Sequence, residues 1–188
     1  MMKPTLYIIS FFLVIAFLSS CEEQKGEEKT STSTASLKNT FKDDFLIGTA
    51  LGTIHINKED VAAQQLIETE FSSITPENDM KSMHIHPAQD TFYFEKADQF
   101  VAIGEQNEMY IIGHTLVWHS QLSKWWEAIT DSTEMSQTIE NHINTIVGRY
   151  KGRIQAWDVV NEALNEDGTL RESIFLKTIG EDYLYQAF

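Results

Sequence analysis

Four apolar runs of strand length, each followed by a stretch with helical periodicity, limit the folds open to this 188-residue chain. The runs occupy residues 45–51, 71–75, 110–118 and 154–161. After the first, Asn57 reads as a helix N-cap with Glu59 and Asp60 in the first turn, and Ala62, Ala63, Leu66, Ile67 and Phe71 follow at helical spacing. Ala97, Phe100, Val101 and Ile103 mark a second helix within residues 96–107. Met135, Ile139, Ile143, Ile146, Val147 and Tyr150 share one face of a third, across residues 134–150. Residues 174–188 read as a further helical stretch. Strand and helix in alternation imply right-handed crossovers and a mainly parallel sheet. In such α/β folds the chemistry gathers at the C-terminal ends of the strands. Polar clusters fall there: residues 75–81 after the second strand, His114 and residues 118–121 at the third, and Asn161-Glu162 at the fourth.

The N-terminal segment reads differently. Residues 1–20 hold Lys3 and an apolar run, 6–18, broken only by Ser10. As a helix that run reaches about 20 Å, short of the roughly 30 Å bilayer core, so it reads as a secretory leader. Leu18-Ser19-Ser20-Cys21 resembles a bacterial lipobox, and Cys21 is the sole cysteine. The expectation is a lipidated Cys21 and a protein anchored in the bacterial cell envelope on its surface or periplasmic face. The other reading is an ordinary leader with an incidental cysteine. Residues 21–40 are mostly Glu, Lys, Ser and Thr and read as a flexible polar tether. The folded region is expected over 41–188, beginning near residues 37–41.

One cysteine excludes an intrachain disulfide and a cysteine-based zinc site. A net charge of −14 argues against a nucleic-acid partner and against adhesion to anionic lipid, and leaves a neutral substrate open. The four tryptophans, Trp118, Trp125, Trp126 and Trp157, crowd into one stretch. Glu162 closes an apolar run. Partial desolvation there would raise its pKa toward that of a general acid, although a solvated or capping glutamate explains the same residue. Asn161 and Glu162 face opposite ways unless the strand ends between them. Thr75-Pro76-Glu77-Asn78 also reads as an ordinary helix start. His114 and His119 lie on opposite faces of a strand, poorly placed for one metal. His84 and His86 have same-face spacing, which keeps a metal site open.

Longer motifs carry a resemblance. They are Thr75-Pro76-Glu77-Asn78-Asp79-Met80-Lys81; Pro87 with Phe92-Tyr93-Phe94 and Ala97-Asp98; residues 113–122 with Trp125; residues 149–152; and Trp157-Asp158-Val159-Val160-Asn161-Glu162-Ala163. In this order they resemble glycoside hydrolase family 10, the endo-1,4-β-xylanases. The resemblance implies a (β/α)8 TIM barrel of class α/β, of which this chain holds about the first half. It implies hydrolysis of β-1,4-xylan with retention of configuration, with xylan or a xylo-oligosaccharide as substrate and no cofactor. It places the acid/base on Glu162. Asn161 would bond the sugar 2-hydroxyl beside the cleaved bond. Glu77, Asn78 and Lys81, with His114 and Trp118, would hold the sugar on the non-reducing side. A neutral polysaccharide suits such groups: polar ends for its hydroxyls and aromatic faces for its C–H surfaces.

The family's nucleophilic glutamate belongs to a later strand than this chain contains, and a barrel of this kind has about 250 residues. The expectation is therefore a partial sequence that is inactive alone. Ser82, Asp90 and Ser123 stand where family members often have Trp, Gly and Pro, beside the site rather than on it. Two other functions stay open at this point: a non-catalytic glycan-binding surface lipoprotein, and a metal-dependent barrel hydrolase using His84 and His86.

Overall fold

The computed structural model of the protein describes residues 35–188, so the leader and Cys21 lie outside the described residues. Helix α1 (Leu37–Thr40) is capped by the Ser36 hydroxyl and tied to the next helical layer by the Leu37 N–H, which donates to Glu70 Oε2 at 2.7 Å. Helix α1 thus lies inside the stretch that reads as a tether. Strand β1 (Gly48–Leu51) follows, then the short α2 (Thr53–Ile56) and α3 (Val61–Glu70). Strand β2 is Ser73–Pro76, and α4 is Ser82–Ile85. Helix α5 is Glu95–Gln106, β3 is Tyr110–Trp118, and a 3₁₀ turn covers Lys124–Ala128. Helix α6 (Ser132–Arg149), β4 (Ala156–Asn161), α7 (Ile174–Ile179) and α8 (Asp182–Ala187) complete the chain.

The four strands form one parallel sheet in the order β1-β2-β3-β4. Each crossover carries helix, as the alternation requires. The buried residues of α5 are Ala97, Phe100, Val101, Ile103 and Gly104; those of α6 are Met135, Ile139, His142 and Ile146. These stripes face the sheet and make the core with Ile74, Ile111, Leu116 and Val117. Gly104 lets α5 come close: a Cβ there would lie 2.4 Å from Ile111 Cγ1. Outside the core, Asp98 on α5 accepts from Arg149 Nε (2.9 Å), Arg149 Nη2 (2.5 Å) and the Tyr150 hydroxyl (2.9 Å). The first of these pairings holds the Asp98 carboxyl below its ordinary pKa.

Three local expectations change. Asn57 does not cap α3; the Asp60 side chain does, accepting from Ala63 N at 2.9 Å. The short α2 occupies the preceding residues, and Lys58, at φ +59°, breaks the helix between them. No helix starts at Thr75-Pro76. Both are the last residues of β2, and Pro76 stands opposite Leu51 of β1. The proline lacks an N–H, which costs nothing where the ladder is ending; the Glu77 N–H supplies the next bond, to Leu51 O at 2.9 Å. The helical stretch after residue 174 is two helices, separated at Gly180 with φ +89°.

Candidate active site

Parallel register brings the ends of β1 and β2 level, and those of β3 and β4, while β3 runs on past the end of β2. Leu51 is opposite Pro76, and Trp118 is opposite Asn161. The residues just past these positions, Glu77 and Asn78, His119, and Glu162, therefore sit along one edge of the sheet. Glu162 is in the left-handed region, at φ +52°. For a residue with a Cβ this costs on the order of 1–2 kcal/mol. The turn breaks strand alternation between Asn161 and Glu162. That answers the question the sequence left open: the strand ends between them.

The Trp118 indole N–H donates to Glu162 Oε2 at 2.9 Å, and His119 Nε2 lies 3.8 Å from the same oxygen. Oε2 is thus held and Oε1 is left for other partners. The side chain of Glu162 is 49% exposed, so the burial expected for a carboxyl closing an apolar run is not supplied by the residues described. Lys81 connects this group to the end of β2. It is 7% exposed, and its ammonium donates to Asn78 Oδ1 at 2.9 Å and lies 4.9 Å from the centre of the Trp118 ring. A cation over an indole face is an attractive pairing that also orients the ring. Glu77 turns back over Gly52: a Cβ on Gly52 would come within 2.8 Å of Glu77 Oε2, so glycine gives that carboxylate its room. Behind this, Thr53 Oγ1 donates to Asp79 Oδ2 at 2.9 Å and fixes the loop that carries Glu77 and Asn78.

His114 lies four residues before Trp118 on β3. Its Nδ1 is 2.8 Å from Asp158 Oδ2, and its ring centre is 6.3 Å from that of Trp118. Direct contacts thus join Asn78, Lys81, Trp118 and Glu162, with Asn161 beside Trp118 in the strand register and His114 next to its ring, while Glu77 is turned toward Gly52. Asp158 and Arg171 were not singled out from the sequence, and His119 was weighed there only as a metal ligand. Asp158 is the register partner of His114, so strand pairing alone would have found it. Arg171 is brought back to Glu162 by a hairpin that closes at the Leu164–Leu170 bridge.

The other tryptophans do not join the site. Trp126 is 2% exposed and stacks on Trp125 with ring centres 4.7 Å apart. Trp157 packs on Gly113, where a Cβ would be 2.2 Å from its ring. Trp126 lies in the core, Trp125 and Trp157 pack against it, and Trp118 alone among the four reaches Glu162.

The histidine metal site also fails. The same-face spacing of His84 and His86 presumes a strand, but His84 lies in α4 and His86 caps it. His84 is exposed, whereas His86 is fully buried and spends both ring nitrogens. Its Nδ1 is 2.9 Å from His142 Nδ1, and its Nε2 is 3.0 Å from Gln89 O. Among the described residues no three His, Cys, Asp or Glu side chains group as metal ligands.

A parallel four-stranded sheet with helical crossovers is the first half of a (β/α)8 barrel, and a carboxylate, an amide, an ammonium and an indole stand at its C-terminal edge. The profile of Glycosyl hydrolase family 10 matches residues 36–188, and the chain belongs to that family. It is 43% identical over 147 residues to endo-1,4-beta-xylanase 3 of Hypocrea jecorina, covering 78% of this chain and 42% of that one. It is 40% identical over 157 residues to endo-1,4-beta-xylanase A of Xylanibacter ruminicola, covering 81% and 42%. Among solved structures it superposes on native xylanase 10B of Thermotoga maritima with a TM-score of 0.78 and 39% identity, over 82% of this chain and 48% of the other. The chain spans less than half the length of these relatives.

Proposed function

We propose that the protein containing this chain is an endo-1,4-β-xylanase, cleaving internal β-1,4-xylosidic bonds with retention, and that Glu162 is its acid/base. The observation that carries this is the geometry of Glu162: a carboxylate at the end of β4, with one oxygen held by the Trp118 N–H and the other without a partner among the described residues. The names of the relatives support the substrate class.

Retention requires two carboxyl groups about 5–5.5 Å apart. In the first step Glu162, through its unheld oxygen Oε1, gives a proton to the glycosidic oxygen as the C–O bond breaks. The second carboxylate attacks the anomeric carbon from the opposite face and forms a glycosyl ester. By family resemblance this second group belongs to a later strand, which this chain does not contain. In the second step the Glu162 carboxylate takes a proton from water, the water attacks the anomeric carbon, and the ester is released. Asn161 bonds the 2-hydroxyl of the reacting sugar. Glu77, Asn78 and Lys81 hold the hydroxyls of the sugar on the non-reducing side, with His114 and Trp118 closing that pocket. Lys81 is suited to this because its ammonium is already oriented by Asn78 and Trp118 before substrate arrives.

Glu162→Gln in the complete protein removes the transferable proton and keeps the shape. Reducing-sugar release from xylan should fall by at least about a thousandfold. Activity within tenfold of the parent would sink the assignment. The same reading includes lipidation of Cys21 and attachment to the bacterial envelope. Cys21→Ala should move the protein from the membrane fraction to the soluble one, and retention in the membrane fraction refutes the anchor.

A further inference from the structure

The left-handed peptide at Glu162 leaves the sheet, and the carbonyls that follow it have no strand partner. One residue takes all three of them. The Arg171 backbone N–H donates to Ala163 O at 2.8 Å. Its guanidinium Nε donates to Glu162 O at 3.1 Å, and Nη2 donates to Leu164 O at 3.2 Å. Arg171 can do this because residues 163–171 fold back as a hairpin. Leu164 and Leu170 form an antiparallel bridge, and the tip is closed by Gly168 N to Asn165 O at 3.0 Å, with Gly168 at φ +82°. Asp167 Oδ1 accepts from Thr169 Oγ1 at 2.6 Å, and Asn165 Nδ2 donates to Leu170 O at 3.2 Å. The returning limb is anchored directly after Arg171. Ser173 is 6% exposed and caps α7, accepting from Leu176 N at 3.1 Å. Phe175 is 2% exposed and packs between Trp126 and Tyr183.

Among the described residues no carboxylate pairs with Arg171. A guanidinium usually seeks a carboxylate or phosphate, and here its fork is spent on two carbonyls two residues apart. We infer that Arg171 is a positioning residue for the acid/base: it props the strained main chain at 162–164 from an anchored hairpin and so fixes where the Glu162 carboxyl points. It does not touch the reacting atoms. This inference rests on the proposed role of Glu162.

The test separates positioning of a proton donor from general damage. Two substrates are compared in the complete protein: xylan, whose leaving group needs a proton, and a 2,4-dinitrophenyl β-xylobioside, whose leaving group does not. For Arg171→Met, kcat/KM on xylan should fall about ten- to a hundredfold, the range for a misplaced general acid. On the dinitrophenyl substrate it should stay within about twofold. Arg171→Lys keeps the charge and the stem, and so the fold, but cannot span two carbonyls; it should show the same split. Glu162→Ala, run in parallel, should show the split most strongly. If Glu162→Ala shows it and both Arg171 variants do not, whether through full xylan activity or an equal loss on both substrates, the strut is overturned. If Glu162→Ala itself shows no split, the assignment of the acid/base fails instead.

Discussion

Glu162 and the His86–His142 pair are ionisable groups held in opposite ways. Glu162 stands at a strand end, half exposed, with one oxygen bound and the other unpartnered among the described residues. His142 is 1% exposed on α6, and its Nε2 is 3.1 Å from Leu116 O of β3. His86 stacks on Phe92 with ring centres 3.9 Å apart and meets Trp125 and Trp126 at their edges. The pair makes three polar contacts, Nδ1 to Nδ1 and one carbonyl for each Nε2. Two neutral rings own only two protons for them. A third proton would satisfy every contact but would bring a charge among aromatic rings, away from water. Burial wins: the pKa of His142 is pushed down to about 3, by desolvation first and the neighbouring His86 second. The pKa of His86 is lowered for the same leading reason. A group with a free lone pair and a route to solvent can do chemistry. One sealed among aromatic rings and carbonyls records pH only through stability.

Breaking the sealed side should cost the most. Trp126→Ala removes a buried ring that packs on Trp125, His142 and Phe175, and should lower unfolding free energy by about 3–5 kcal/mol in a denaturant titration. A loss below about 1 kcal/mol would show that this cluster does not hold the fold.

The pH response sharpens the same contrast. The folded pKa of His142 lies below its unfolded 6.5, so the unfolded chain binds more protons between these values, and stability falls as pH drops through that window. The contribution is complete above about pH 6.5. From pH 7 to 5 the loss should be about 2 kcal/mol from His142, with a further loss from His86. Asp98 and Glu105, whose pKa values are also lowered, lose their contribution only below the ordinary carboxylate range, so they do not confuse this window. Denaturation midpoints at pH 7, 6 and 5 measure it, and His142→Asn should flatten the slope. An unchanged midpoint from 7 to 5 would mean that the pair is not neutral in the fold.

The smallest effect belongs at the open edge. Trp118→Phe removes the N–H held on Glu162 Oε2 and leaves the half-buried strand end in place. Stability should change by no more than about 1 kcal/mol. Xylan turnover should fall much further than that, because the carboxyl loses its orientation. Equal losses in stability and turnover would erase the distinction between the two regions.

Much of the layer order was readable beforehand because apolar periodicity is a local property. Residues 110–118 emerged as β3 without adjustment, and 96–107 and 134–150 came within two residues of α5 and α6 at each end. Pro76 defeated the local reading, because a helix start and the last residue of a strand look alike until β1 is alongside. Asn57 failed for a similar reason: Asp60, three residues later, had the N–H of Ala63 within reach. Glu77, Asn78, Lys81, His114, Trp118, Asn161 and Glu162 were all named from motif order, and pairing of distant segments then set the distances among them.

The sequence by itself determined the alternation of strand and helix and the family, since periodicity and motif order survive without coordinates. Tertiary structure decided which of four tryptophans meets Glu162, that His86 belongs to a sealed pair, and that Arg171 spans the carbonyls beyond β4. Those outcomes depend on parallel register and on a hairpin closing over nine residues. The first two join residues 44 and 56 positions apart, and the third closes a turn; no periodicity encodes a distance in either case.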